Sequence, residues 1–579
     1  MGNLSESIKR SPSVGWLLLI IVMAVVFVLG LLAAGVTEKR AEVASIFNNK
    51  KVDIASTKIT FADSKDPSKE HEKRKVDIVK TTPAIEGRND QWGVNYPREY
   101  DTWKKTRETD FRSKHLGNAP EDVLDSRPDM VVLWAGYAFS RDYSAPRGHW
   151  YTQYDMRRSL RTGAPGVGEN KDLQPGTCWT CKSPDVPRMM QEIGLLKYYS
   201  AKWSEMGPEI VNPLGCADCH EPKTMDLSLS RPALVEAFRR MPEKPPMNAS
   251  IPNVTDFLTR IGNDVVKNAT PNDKRSLVCA QCHVEYYFGE GDNKYLTFPW
   301  DKGLTVEDME KYYDQPIFGA DGNKPYFDYK HALSKAPILK AQHPDWEVFM
   351  LGTHGKRGVT CADCHLPYRS EGGIKFTDHQ IMSPLKNVSR TCQNCHRDSE
   401  NNLKAYVYDN QDRILEIRDR VEPELAKAHF MTKALLDSGN VTEDSPEIKA
   451  IQQLLRAAQW RWDFGVAGHG APFHAPVETA RILAHALDKT MLAQIELQKL
   501  FAKFNVAFTM PDISTKAKAQ AAIGLNMEKL RADKNEFLKT IVPQWLKKAQ
   551  DAGKLTEPDL IDQVHPAHCV NERGGNACY

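Results

Sequence analysis

The sequence predicts a mainly α-helical chain, and three observations carry that expectation. Beyond residue 400, apolar residues recur at helical spacing over long stretches. No strand-rich alternation stands out before that point. Ten of the twelve cysteines fall into five C-x-x-C pairs. Four pairs are followed by histidine: Cys216, Cys219 and His220; Cys279, Cys282 and His283; Cys361, Cys364 and His365; Cys392, Cys395 and His396. In the first pair, Cys178-Trp179-Thr180-Cys181-Lys182, lysine stands where histidine is expected. C-x-x-C-H is the pattern of covalent c-type haem attachment, in which two thiols form thioethers and the adjacent imidazole ligates iron. Five such groups would supply much of a core's apolar volume, so little regular structure is needed between them.

The elements follow in order. Residues 1–13 form a short terminus. Residues 14–36 hold an uncharged run, Trp16 to Leu32, long enough to cross a bilayer as a helix. A cleaved signal has an apolar core of about 7–15 residues, so an uncleaved anchor is expected; cleavage would instead leave a soluble periplasmic protein. Lys9 and Arg10 precede the run and Lys39 and Arg40 follow it, so charge bias barely sets its orientation. Covalent haem sets it, because such haem implies export to the periplasmic side of a bacterial-type membrane with 1–13 left in the cytoplasm. Residues 37–90 are dense in Lys, Asp, Glu and Ser and read as a hydrophilic tether. From 91 to 400 the cysteine motifs arrive in sequence between Pro- and Gly-rich loops. Over 401–550 the periodicity predicts helices at Leu403–Leu436, Ile448–Val466, Val477–Phe504 and Ala517–Ala549, whose apolar faces cover the haem core or pair with a second copy. The tail, 551–579, carries Cys569 and Cys578, which an oxidising compartment permits to pair or which stay as free thiols.

Other chemistries fit less well. Zinc sites also use C-x-x-C pairs but do not need a histidine directly after the second cysteine, and four of these five pairs have one. A thioredoxin-like redox pair would be single and set near a β-α-β pattern. A net charge of +2 with 26% charged residues gives no basic footprint for nucleic acid.

A haem that only carries electrons takes a second protein ligand opposite the first. Seventeen histidines are available. His149, His354, His379, His469 and His474 stand in glycine-flanked or motif-like surroundings, and they are the candidates for distal ligands. Lys182 changes the physics, because an ammonium cannot ligate and its amine must be deprotonated, which burial and a nearby ferric charge both favour. A haem with such a ligand and an open opposite face would admit a small molecule to iron.

With these motifs the chain resembles the pentahaem cytochrome c nitrite reductases, ammonia-forming periplasmic enzymes. The likeness runs from about 140 to 480, through Cys178–Lys182, the following Ser183-Pro184-Asp185-Val186, and Ala458 to Asp463. It implies a mainly α-helical multihaem fold, five covalent c-type haems, and a homodimer formed through long carboxy-terminal helices. It implies that Lys182 is the proximal ligand of the active-site haem and that Arg161, Tyr286 and His343 are catalytic. It implies a calcium ion held by the Glu285 carboxylate, the Tyr286 and Lys340 backbones, and the Gln342 side chain, oxygen donors suited to a hard cation. Distal ligands would be His379 on the second haem in chain order, His149 on the third, His474 on the fourth and His354 on the fifth. His469 lies close to His474 and leaves that assignment open. The implied activity is six-electron reduction of nitrite to ammonium, with electrons from a membrane quinol-linked cytochrome and no nucleic-acid partner. Extra residues at the carboxy end are expected to leave the chemistry alone.

Overall fold

The computed structural model describes residues 87–555, apart from 116, 168–173, 242–260, 263, 290–293 and 320–322. The expected span at 14–36, nearly all of the tether, and Cys569 and Cys578 lie outside the described residues. Among the described residues no helix is long and apolar enough to cross a membrane.

Up to residue 400 the chain runs through short helices and turns that deliver the motifs. Helix α1 (Thr152–Arg158) precedes the turn bearing Arg161. Helix α2 (Pro271–Ala280) opens on a reciprocal cap: the Asp273 amide donates to the Thr270 hydroxyl at 3.2 Å, and the Thr270 amide donates to the Asp273 carboxylate at 2.8 Å. It ends by presenting Cys279. In two motifs the aspartate inside C-A-D-C does the capping itself. Asp218 accepts from the Gly215 amide at 2.7 Å, and Asp363 accepts from the Thr360 amide at 2.7 Å. The single helical turn between those cysteines is therefore written into the motif.

Strand β1 (Tyr287–Phe288) pairs antiparallel with β2 (Leu296–Thr297), directly after Tyr286. Strands β3 (Tyr329–Lys330) and β4 (Pro337–Ile338) form a second hairpin that leads into Lys340. Helix α3 (Asp345–Leu351) follows His343, and strands β5 (Tyr368–Glu371) and β6 (Ile374–Thr377) make a third hairpin ahead of His379.

The carboxy-terminal half is built on α4 (Glu400–Asp437), α5 (Pro446–Ala467) and α6 (Pro476–Phe504). Their limits lie within three residues of those expected. Ser399 caps α4 by accepting from the Asn402 amide at 3.2 Å, and proline opens both α5 and α6. Val421, Leu425 and Ala428 of α4 pack with Ile451, Leu455 and Ala458 of α5 and with Leu483, Ala486 and Leu497 of α6 in one core. The single helix expected over 517–549 is three: α7 (Lys516–Ala522), α8 (Met527–Thr540) and α9 (Val542–Asp551). Gly524, at φ +80°, turns the chain out of α7, and Asn526 caps α8 by accepting from the Lys529 amide at 3.2 Å. Pro543, in the first turn of α9, has no amide hydrogen to continue the preceding helix.

Two boundaries move. Residues 87–90 looked like tether because they are polar, yet Arg88 and Asn89 are buried. The Asn89 amide donates to the Pro213 carbonyl and its oxygen accepts from the Cys216 amide, both at 2.9 Å. At the other end Leu555 is buried, and the Lys554 carbonyl accepts from Asn212 Nδ2 at 3.0 Å, so 551–555 belong to the folded body.

Candidate active site

One connected cavity of about 1590 Å³ runs through the molecule, and all ten motif cysteines line it, with Lys182, His220, His283, His365 and His396. A pocket for one small molecule is about 300–1,000 Å³, so this space suits several large groups. None of the ten thiols is in a disulfide. Among the described residues no three His, Cys, Asp or Glu side chains converge as a metal cage.

The histidines come together across it. The His149 and His283 ring centres are 6.4 Å apart, His220 and His379 6.2 Å, His354 and His396 6.2 Å, and His365 and His474 6.4 Å. Two imidazoles bonded to opposite sides of one metal through bonds of about 2 Å have centres about 6 Å apart. These four pairs have the spacing a shared iron requires, and so does His283 with His343 at 5.9 Å. Outer contacts orient the rings. His220, His365 and His379 each hold a backbone carbonyl through Nδ1, of Met225, Met382 and Thr377, at 2.8, 2.9 and 2.8 Å. His283 Nδ1 lies 3.4 Å from the Asp345 carboxylate. Such contacts fix the hydrogen on Nδ1 and leave the Nε2 lone pair for a metal. Burial pushes His149 down to about 3 and His474 to about 4, so both rings are neutral donors at ordinary pH. His469, the competitor of His474, stacks on Tyr143 with ring centres 6.3 Å apart and puts Nε2 3.4 Å from its hydroxyl.

The lysine motif has a different neighbourhood. Burial pushes the Cys178 thiol up to about 12, against the nearby charges of Lys182 and Arg161. Burial and the Cys181 and Cys178 thiols raise Tyr286 well above its ordinary range. The Tyr286 and His343 rings meet edge to face at 5.5 Å. Burial, reinforced by His283, pushes His343 down to about 3, and its buried Nδ1 has no hydrogen-bond partner. Arg161 lies 4.5 Å over the Phe139 ring, and its Nε donates to Ser159 Oγ at 2.9 Å. Lys182 is half-buried rather than sealed in protein. Lys182, Arg161, Tyr286 and His343 thus line the same cavity, with Arg161 and Tyr286 near Cys178 and His343 near Lys182. His343 also sits 5.9 Å from His283, so that imidazole has neighbours on two sides.

Three of the residues expected to hold calcium, Glu285, Lys340 and Gln342, lie together. Gln342 N donates to Glu285 Oε2 at 2.6 Å, and Gln342 Nε2 donates to the Lys340 carbonyl at 3.2 Å. Burial raises the Glu285 carboxyl well above its usual range, and Asp328 and Glu347 add to that. A divalent cation would offset that cost, and the chemistry of this donor set fits calcium.

Several contributors were not read from the sequence. Ser159 fixes Arg161, and its position two residues earlier is a turn signal that could have been used. Asp345 orients His283, and Asn89 caps the Cys216 motif. Neither carries a local signal, because each acts on a remote segment.

Paired thiols and facing imidazoles around one cavity define a multihaem c-type cytochrome. The chain belongs to the cytochrome c552 family, whose sequence model matches residues 88–555. It is 54% identical to a cytochrome c-552 of Bacteroides fragilis over 545 residues, 94% of this chain and 98% of that one. It is 43% identical to a cytochrome c-552 of Aliarcobacter butzleri over 492 residues, 84% of this chain and 91% of that one. The structure is similar to that of the cytochrome c nitrite reductase of Desulfovibrio desulfuricans, with a TM-score of 0.63 and 28% identity over 80% of this chain and 95% of that one. That catalytic subunit is described as having two calcium sites.

Proposed function

We propose that the chain is an ammonia-forming nitrite reductase that takes nitrite to ammonium with six electrons at the haem of Cys178, Cys181 and Lys182. One contrast carries the reading: each histidine motif faces an imidazole at about 6 Å, whereas the lysine motif has an arginine and a tyrosine, Arg161 and Tyr286, beside it as well as the His343 ring. Five haems would be held by the ten cysteines. Four of them would be held between His220 and His379, His283 and His149, His365 and His474, and His396 and His354. When bound, the haems supply electrons and one iron with a position for substrate. The Arg161 guanidinium, tied at Nε, directs its two terminal nitrogens to an anion and stabilises charge on the oxygens as N–O bonds break. His343, neutral and with a free ring nitrogen, accepts or donates hydrogen bonds to the same oxygens. Tyr286, kept protonated by burial, is a proton donor beside it. Calcium would sit on Glu285, Gln342 and the Tyr286 and Lys340 backbone oxygens, stiffening both loops that carry Tyr286 and His343.

The 14–36 segment would anchor the enzyme on the periplasmic side of the inner membrane, where a quinol-linked cytochrome supplies electrons. A second copy would pack on α6, where Met491, Leu492 and Ile495 are exposed.

The test measures ammonium formed per nitrite consumed with one artificial reductant, beside hydroxylamine and sulfite, and haem per chain by pyridine haemochrome. Stoichiometric ammonium and five haems are expected. Turnover restricted to hydroxylamine or sulfite would replace the substrate. A wholly low-spin, six-coordinate spectrum without turnover would make the chain an electron carrier.

A further inference from the structure

The carboxy-terminal segment returns across the molecule and grips the turn that carries Arg161. In α7, Gln520 Nε2 donates to the carbonyls of Ser140 and Arg141 at 3.2 and 3.1 Å, next to the Phe139 ring on which the guanidinium rests. In α8, Lys534 is 1% exposed, and its Nζ donates to Thr162 Oγ1 at 3.0 Å and to the Gly163 carbonyl. The same ammonium lies 4.9 Å from the Phe537 ring centre and 5.8 Å from that of Trp203. Beyond it Trp545 packs on Trp203 at 5.6 Å, and so close to Gly207 that an added Cβ would come within 2.2 Å of the indole. Trp203 in turn stacks on Trp179 of the lysine motif at 5.0 Å and accepts through its carbonyl from Trp179 Nε1 at 2.9 Å.

Arg161 needs such support. It sits in a single 3₁₀ turn, Leu160–Thr162, too short to hold its own geometry. Ser159 ties the Arg161 side of that turn. Thr162 closes the other side, its hydroxyl directed to the Ser159 and Met156 carbonyls at 2.9 and 3.0 Å while its oxygen accepts from Lys534. Gly163, at φ +74°, makes the exit that presents its carbonyl to the same ammonium. Charge-assisted bonds of this kind are stronger than neutral ones, and they are made here away from water.

We propose that Lys534 is a positioning residue for Arg161, so that the carboxy-terminal strap rather than the local turn sets where the guanidinium meets an anion. This rests on the reading above in which Arg161 holds nitrite. Nitrite is anionic and depends on the guanidinium, whereas hydroxylamine is largely uncharged at neutral pH and does not.

Lys534→Met in the haem-loaded full chain keeps a stem to pack on Trp203 and Phe537 and removes the donors. A small misplacement of a positioned group costs up to a hundredfold, so KM for nitrite should rise by about tenfold to a hundredfold, with hydroxylamine KM and haem content within about twofold of the parent. Amide exchange should quicken over Leu160–Gly163 and stay unchanged over Cys178–Lys182. In an Arg161→Ala background, Lys534→Met should add no further loss on nitrite, because the group it positions is gone. Parallel losses on both substrates, or unchanged exchange at the turn, would overturn the proposal. If Lys534→Met does not accumulate, Thr162→Val must give the same selective rise in nitrite KM, and its failure to do so overturns the proposal equally. A parent without nitrite turnover would instead sink the substrate reading, and exchange at the turn would then decide whether Lys534 fixes Arg161.

Discussion

Replacing Asp463 by asparagine isolates one buried charge pair that braces the Lys340–Gln342 loop. Lys340 Nζ donates to Asp463 Oδ1 at 2.9 Å, with the two side chains 1% and 0% exposed. Asp463 Oδ2 accepts from Trp134 Nε1 at 3.2 Å, and the Lys340 amide donates to Asp328 at 2.8 Å. Asparagine keeps the volume and an acceptor for Trp134, so neither a cavity nor an orphaned indole confuses the result. What remains is an ammonium buried without its counter-ion, which costs about 3–5 kcal/mol. At about 1.4 kcal/mol per factor of ten, the folding equilibrium should fall by about 10² to a few thousandfold. Lys340→Met with Asp463→Asn removes both charges and should recover most of that, leaving a deficit of about 1 kcal/mol for lost hydrogen bonds. Urea titration of the parent, both single variants and the double variant, followed by tryptophan fluorescence at constant haem content, measures the cycle. A single Asp463→Asn variant within about 1 kcal/mol of the parent would show that the pair is not an uncompensated charge when broken.

Lys182→His restores an ordinary attachment motif, so haem loading should survive while nitrite turnover falls strongly; equal activity with an unchanged high-spin signature would show that the lysine is merely tolerated. Glu285→Ala should remove bound calcium and lower turnover more than haem content, and unchanged metal content by elemental analysis would remove the calcium assignment. Burial and the neighbouring Glu422 carboxylate, opposed by Arg127, push Asp129 up to about 6. The folded chain then holds this proton more tightly than the unfolded chain, so stability is lost as pH rises from about 4 through about 6. Asp129→Asn should therefore raise the melting temperature at pH 7 relative to the parent and not at pH 4, and an equal shift at both would refute the assignment.

What could be read from the sequence was local or periodic. The ends of α4, α5 and α6 followed from apolar spacing, because each buries one face along its whole length. The Gly524 exit and the Asn526 cap were available as signals in the single stretch that proved to be three helices, but the apolar periodicity on either side concealed them. His469 and His474 have the same kind of flanking residues. Only the short helix Ala471–His474 turns one ring toward His365 and leaves the other on Tyr143. Lys534 was illegible for a deeper reason. A lysine in an amphipathic helix ordinarily marks the solvated face, and nothing near it in sequence announces a turn hundreds of residues earlier.

The four imidazole pairs also bear on how such a protein is assembled. Each attachment motif is contiguous, so its two thiols and proximal ligand are together even in an unfolded chain. Each partner ring comes from elsewhere: His149 precedes His283 by most of a domain's length, and His474 follows His365 across α4 and α5. Under the proposed ligation, loading requires no tertiary structure, and completing the coordination requires all of it. The prosthetic groups would then act as late cross-links, each closing a long loop whose entropic cost grows only slowly with length. Haem-loaded chains arrested before folding should therefore carry their full covalent complement with the distal positions still open to exogenous imidazole.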